Sequence, residues 1–366
     1  MNESELKALL ARIEPRNESA YAAAVARMDS FAKPPGSLGA LETIAARLAG
    51  VTGETVNALD KRCVLVFSAD NGVVAEGIAS GPQSITTAQT INMLRGLTGV
   101  AVLAQCYGSE LRVHDVGVNA NLPDVPGLRR HKIRMGTGNI AAGPDMTREE
   151  ALTAIGVGVE AARQAGRDGI KVLGVGEMGI GNTTTSSAVL CGLLGLRGDA
   201  VGETVGRGAG LVDAAFAKKI EVIRRALEGN DPDRNDPVDV LAKVGGFDLA
   251  AMCGAFLGAA LERIPVVIDG FISVVAALCA ARLAPDATAC FFASHASHER
   301  GYRLALDQLG LEAYLALDMR LGEGSGCPLM FSVMDGACHV MAHMATFAEA
   351  EINTDYLAEI TKEHSF

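Results

Sequence analysis

Five short apolar runs recur along the chain: Cys63–Ser68, Leu111–Val116, Ile170–Val175, Ile264–Ile268 and Ala289–Ala293. Each is mostly apolar and rich in Val, Ile or Phe, the pattern of strands buried on both faces. Between them lie stretches with helical periodicity, at Ile85–Leu94, Arg148–Ala165, Asp213–Leu227, Leu249–Leu261 and Glu299–Leu309. Such alternation predicts an α/β fold with a parallel, Rossmann-like sheet covered by helices. The two ends differ. Residues 1 to about 60 read as helices only, the first from Ser19 to Phe31, stopped by Lys33-Pro34-Pro35-Gly36. Ser37 is placed to cap the next helix, whose Leu38, Leu41, Ala45 and Leu48 share a face. From Met334 to Ala350 the chain is helical again with no strand. The expected organisation is a large α/β catalytic domain over 61–330 and a small helical domain built from 1–60 and 331–366.

Composition narrows the class. With 366 residues, 42 Gly, 4% aromatics and no Trp, the chain suits a sheet-and-helix enzyme whose loops approach a ligand closely. It suits a stacking platform for nucleic-acid bases poorly. A net charge of −11 argues against nucleic-acid and anionic-membrane surfaces, so an anionic substrate must meet a few local cations. The acid-bearing start lacks a secretory core, and Pro265 and Asp269 interrupt the apolar stretch Ile264–Ala281. Eight scattered cysteines form no CxxC pair and read as reduced thiols. A soluble cytoplasmic protein is expected.

Ligands of open α/β sheets bind beyond the carboxyl ends of the strands. There the sequence offers Asp70-Asn71-Gly72, Gly117-Val118-Asn119, Gly176 to Thr184, Asp269-Gly270 and Ser294 to His298, which suggests one shared cleft. Gly174-Val175-Gly176-Glu177-Met178-Gly179 is formally G-x-G-x-x-G, with Asp199 near the distance of a ribose-binding acid but in a Gly-rich turn. Three uses compete for this segment: a dinucleotide loop, a single-phosphate site at the helix start near Gly181 to Thr184, or glycines that only allow close packing. Glu323, between Gly322 and Gly324, is either a partly buried base or a solvated turn residue. Lys218, Lys219, Arg207 and Arg320 are the cations available, each also readable as a solvated surface charge. His339/His343 and His295/His298 lack the further ligands of a metal site, so none is expected.

Taken together, Lys33 to Gly39, Gly138-Asn139-Ile140-Ala141, Gly174 to Thr184, Lys243 to Asp248, Asp269-Gly270-Phe271 and Arg320 to Gly326 resemble one family. It is the nicotinate-nucleotide–dimethylbenzimidazole phosphoribosyltransferases of the cobamide lower-ligand pathway. The motifs occur in order and span nearly the whole chain. The resemblance implies transfer of the phosphoribosyl group of nicotinate mononucleotide to a benzimidazole-type base, with no cofactor or metal. It also implies a homodimer in which the partner's small domain helps to close the cleft. Carried over by motif, Glu323 is the general base, and Glu177, Gln89, Met178 and Leu321 face the incoming base. Gly179, Gly181, Asn182, Thr183, Lys219, Ser297 and Arg320 hold the nucleotide and its phosphate. Two departures stand out. Asn71 replaces a frequent His, and Gly81 stands where Ser can precede the Pro, which leaves the preferred base open. The competing expectations are an NAD-dependent oxidoreductase using Gly174, Gly176 and Gly179, and a base-binding relative without turnover.

Overall fold

A computed structural model describes residues 1–208, 210–355 and 357. The sheet strands are β1 (Arg62–Ala69), β2 (Glu110–Gly117), β3 (Arg129–Arg130), β4 (Val172–Met178), β5 (Val266–Ile268) and β6 (Phe291–Ala293). They run parallel in the order β3-β2-β1-β4-β5-β6. That is the doubly wound order, and its reversal point lies between β1 and β4, where the loops leave in opposite directions and open a crevice. β1 is buried from Cys63 onward, which explains its unbroken apolar run.

All five expected strands form, with shifted ends. β4 starts at Val172 and continues to Met178, beyond the expected end at Val175. Ile170 is spent on the preceding turn, its N–H donating to the Ala165 carbonyl. Gly174 and Gly176 thus pair with Val64 and Val66 inside the sheet. β5 begins only after Pro265, which has no N–H for the ladder. β6 begins after a 3₁₀ turn that takes up Ala289 and Cys290. Two-residue β3 is too short to leave a pattern in the sequence.

The expected helices are present, as Ser84–Leu94, Arg148–Arg167, Asp213–Asn230, Phe247–Leu261 and Arg300–Leu309. Periodicity gave no sign of others: Gly99–Cys106 goes unread, and of Asn182–Leu194 and Phe271–Leu283 the sequence indicates only the starts. The last two are buried nearly all round, so neither has the polar face that marks an amphipathic helix. Helices Arg148–Arg167 and Phe247–Leu261 cross at glycines. A methyl on Gly158 would overlap the Ala251 carbonyl, and one on Gly254 would overlap that of Ile155.

At the N-terminal end, helix Glu18–Asp29 is capped by Asn17 and helix Ala40–Thr52 follows. Ser37 is not its cap. Gly39 holds that position at φ +54°, and the Glu42 carboxylate accepts from the Leu38 N–H while pairing with buried Lys33 at 2.8 Å. The C-terminal helix is Gly326–His343, not Met334–Ala350; it starts earlier, directly after the Gly322–Ser325 turn, and ends at Met344. Arg27 Nε donates to the Met341 carbonyl at 3.0 Å, and Phe31 and Thr346 form an antiparallel bridge, so the two ends of the chain meet. The expected C-terminal segment 331–366 extends past the described residues. Helix Glu3–Leu10 goes elsewhere, with Glu3 pairing with Arg148 and Met1 lying against Gly156. Among the described residues no helix is long and apolar enough to cross a membrane.

Candidate active site

The crevice between β1 and β4 gathers buried polar groups. Asp70 and Asn71 follow β1, while Glu177 and Met178 end β4. Gly179 lets the chain turn there, because any side chain would overlap the Ala69 carbonyl and come within 2.8 Å of Asp248 Oδ2. Gly181, at φ +96°, then starts helix Asn182–Leu194. Asn182 Nδ2 donates to Glu177 Oε2 at 2.5 Å and to Asp248 Oδ2 at 3.1 Å, so one amide ties two carboxyls together. Asn71 Oδ1 accepts from Thr185 Oγ1 at 3.3 Å in the same knot.

Burial dominates the ionisation of these groups. Desolvation, then the negative charge of Asp248, push Glu177 up to about 8, against the hydrogen bond from Asn182. Desolvation also raises Asp248 to about 6. Glu177 is therefore mostly protonated near neutral pH. Its linkage has a definite sign. A carboxyl whose folded pKa lies above its unfolded value of about 4.3 favours the fold at low pH. That contribution is lost between the unfolded value and about 8. Glu177→Gln, which stays neutral, should gain in Tm on the parent as pH rises from 5.5 to 8. Parallel Tm-against-pH curves for the two proteins would refute it.

Opposite Glu177 lies the segment Gly322-Glu323-Gly324. All three residues have left-handed φ, at +87°, +64° and +88°. Gly322 passes so close to Glu177 that a Cβ would lie 2.6 Å from its Oε1. Glu323 is only 5% exposed, which rules out the solvated-turn reading. Its Oε2 accepts the Val100 N–H at 3.1 Å, at the start of helix Gly99–Cys106, and Gln89 Nε2 lies 3.5 Å from Oε1. Desolvation raises its pKa, while the amides of that helix start restrain the rise. The result is a buried carboxylate with one face toward the cavity and a pKa moved toward the working range of a base.

Cations collect at the other end. Lys219 is fully buried while neighbouring Lys218 is exposed. Lys219 Nζ donates to Thr183 Oγ1 at 3.1 Å and to the Gly206 carbonyl at 3.0 Å. Desolvation lowers it to about 8, opposed by the charge of Glu299. Glu299 in turn accepts the Gly208 N–H at 2.8 Å. Thr183 at the start of a 13-residue helix, with Lys219 directly behind it, makes a cradle of phosphate size.

A cavity of about 320 Å³ joins the two ends. Glu323, Glu177, Gln89, Met178, Leu321, Gly179, Asn182, Thr183, Ser297 and Arg320 all line it. Gly181 and Lys219 do not reach the wall and support it from behind. A larger, more open groove of about 790 Å³ between helices Glu3–Leu10 and Arg148–Arg167 holds none of these groups. Sequence reading assigned no role to Asp248, Asp269, Glu299 or the Thr98–Val100 helix start. Asp269 alone carried a signal, its place at a strand end.

The dinucleotide expectation is overturned. Gly174 and Gly176 sit within β4, not in a turn after it. A side chain on Gly174 would lie 2.7 Å from Cys327 Sγ, and one on Gly176 would lie 2.5 Å from the Gly324 N. These glycines admit the Glu323 segment against the sheet, leaving no pyrophosphate turn. Asp199 is on the surface, paired with Arg224.

A doubly wound sheet with a buried carboxylate at one end of a cavity and a helix-start cradle at the other defines an α/β enzyme acting on a small phosphorylated substrate. Residues 13–352 match a family model described as Phosphoribosyltransferase, and the chain belongs to that family. A Clostridium perfringens (strain ATCC 13124) protein named nicotinate-nucleotide–dimethylbenzimidazole phosphoribosyltransferase is 50% identical over 361 residues, 99% of each chain. One of the same name from Acetivibrio thermocellus is 49% identical, over 88% of this chain and 91% of its own. The crystal structure of CobT from Thermus thermophilus superposes with a TM-score of 0.87 at 42% identity, covering 92% of this chain and 99% of that one.

Proposed function

We propose that this phosphoribosyltransferase moves the 5-phosphoribosyl group of nicotinate mononucleotide to 5,6-dimethylbenzimidazole or a related base, giving α-ribazole 5′-phosphate and nicotinate. The observation that carries the reading is Glu323, a buried carboxylate on the cavity wall, in a chain half identical to proteins of that name. In nicotinate mononucleotide the pyridinium nitrogen is positive. As the C1′–N bond breaks, its electron pair returns to the ring and nicotinate leaves, while the ribose becomes oxocarbenium-like. The lone pair of one benzimidazole nitrogen forms the new C1′–N bond from the opposite face, inverting β to α. The second nitrogen becomes acidic and its proton passes to Glu323. Holding both substrates in line contributes up to ~7–11 kcal/mol.

The remaining site residues divide by chemistry. Thr183, with Lys219 held behind it, and the amides around Gly179 to Thr183 anchor the phosphate, assisted by Ser297 and Arg320. Gln89 and mostly protonated Glu177 face the base, between Met178 and Leu321. No metal or cofactor enters, since the leaving group is already activated by its charge. Residues 61–330 are the catalytic body, and helices Glu18–Asp29 and Ala40–Thr52 with the C-terminal part of helix Gly326–His343 form a smaller helical unit, while helix Glu3–Leu10 lies against helix Arg148–Arg167. Exposed Leu97, Val102 and Leu321 near the Glu323 end support a homodimer whose partner covers that edge. Eight free cysteines, seven of them buried, support a cytoplasmic location.

The base end also has a character of its own. A side chain on Gly81 would lie 2.6 Å from Ile85 Cδ1, so Ile85 occupies the room a serine there would need. With Met178 and Leu321 this makes an apolar wall, favouring methylated benzimidazoles over hydroxylated or purine bases. The test is one incubation of nicotinate mononucleotide with equal amounts of dimethylbenzimidazole, benzimidazole, adenine and a phenol. Mass spectrometry should find α-ribazole phosphate as the main product. A dominant purine or phenolic riboside would overturn the base assignment, and no riboside at all would overturn the activity.

A further inference from the structure

Three consecutive left-handed residues are an unstable piece of backbone, and the middle one here is a glutamate. An L-residue in that region costs roughly 1–2 kcal/mol, and such strain persists only where surroundings fix it. Two contacts fix it. On one side Gly176 of β4 gives the segment no room to sink, since even a Cβ there would lie 2.5 Å from the Gly324 N. On the other side stands Asp269, immediately after β5 and 2% exposed. Its Oδ2 accepts the Gly324 N–H at 3.0 Å and its Oδ1 accepts the Gly326 N–H at 2.7 Å. Both oxygens are thus used on the backbone that flanks Glu323.

We infer that Asp269 is a positioning residue for catalysis: by holding the amides of Gly324 and Gly326 it locks Glu323 in its left-handed conformation, carboxylate toward the reacting base. The inference rests on the reading of Glu323 as the base. Only a carboxylate can do this, because its two acceptors face two N–H groups. An asparagine offers one acceptor and turns an NH₂ toward the other donor. His295, with Nδ1 at 3.9 Å from Asp269 Oδ1 and 3.0 Å from Ser294 Oγ, is the imidazole packed beside it. Tyr302, Cys327, Glu177 and Glu323 itself are the other titratable groups that feel its charge. The cost of losing the lock should fall on the proton transfer, because both Asp269 oxygens are spent on the amides that flank Glu323 and neither bonds a group assigned to the phosphate.

The test is a double-mutant cycle on α-ribazole phosphate formation with Asp269→Asn, Glu323→Gln and both together. Asp269→Asn should lower kcat by about 10²-fold, the scale of a misplaced catalytic group, with KM for nicotinate mononucleotide within about threefold. The double variant should be no slower than Glu323→Gln alone, because a lock has no effect once the base is gone. Losses that multiply, or a near-normal kcat for Asp269→Asn beside an inactive Glu323→Gln, overturn the inference and leave the base assignment standing. An active Glu323→Gln overturns the base assignment itself. Should Asp269→Asn not fold, hydrogen exchange on the unaltered protein decides. The Gly324 and Gly326 amides should exchange far more slowly than those of the exposed turn near Gly310, and equal rates overturn the lock.

Discussion

Glu323→Gln is expected to lower kcat by ~10²–10⁴-fold, the usual contribution of a positioned base. Glutamine keeps the shape, and its carbonyl oxygen can still accept the Val100 N–H that holds Oε2 at 3.1 Å. It cannot take a proton. Binding of nicotinate mononucleotide should change little, since the cradle proposed for its phosphate lies at the Thr183 end of the cavity. The pH profile supplies the sign. Burial raises the Glu323 pKa, and the base works only when ionised, so kcat/KM of the parent should rise with pH. The midpoint of that limb should lie above the ordinary glutamate value of about 4.3. The limb should vanish from the residual activity of the Gln variant. Retained turnover in steady-state assays would remove Glu323 from the mechanism.

Gly158→Ala is the second large effect, this time on stability. The new methyl would overlap the Ala251 carbonyl and lie 2.6 Å from the Ala255 N, both main-chain atoms of the facing helix. Backbone cannot rotate away as a side chain can, so the two helices must separate along their whole crossing. Overpacking typically costs 1–3 kcal/mol, and this case should reach about 3 kcal/mol or more. The damage should spread to activity, because Asp248 stands in the first turn of helix Phe247–Leu261 and shares Asn182 with Glu177. Gly229→Ala is the control. It has open space around it near the end of a helix, so it should be neutral or stabilising by up to ~1 kcal/mol. Thermal unfolding of both variants decides, and equal Tm values would contradict the packing argument.

Much of the architecture is legible in local pattern. Strands buried on both faces favour runs of branched residues, so β1 is visible from its composition alone, while β2 carries Arg112, His114 and Asp115 among its apolar positions. Helix Arg148–Arg167 announces itself through Thr147 and Glu150, which form a capping box, and through its amphipathic face. Helices Asn182–Leu194 and Phe271–Leu283 are legible only at their starts, because a helix buried all round has no periodicity to display. Ser37 is misleading for a different reason: the Glu42 carboxylate, drawn to Lys33, takes over the capping of that turn.

The site divides along the same line. The chain itself supplies the chemistry: a carboxylate between glycines, a threonine-rich helix start, a lysine beside it and the order of motifs that resembles one family. Folding decides what each group can do. Lys218 and Lys219 are identical as letters, yet one helix face turns Lys219 inward against Thr183. Gly174 and Gly176 spell a nucleotide loop, yet β4 runs two residues past Gly176 and makes them a seat for the catalytic segment. The pKa of about 8 at Glu177 exists only because folding buries it away from water and brings distant Asp248 beside it. Which groups are available and which faces are apolar are local properties, so they can be read along the chain. Burial, proximity and field arise between residues far apart in the chain, so they exist only once it has folded.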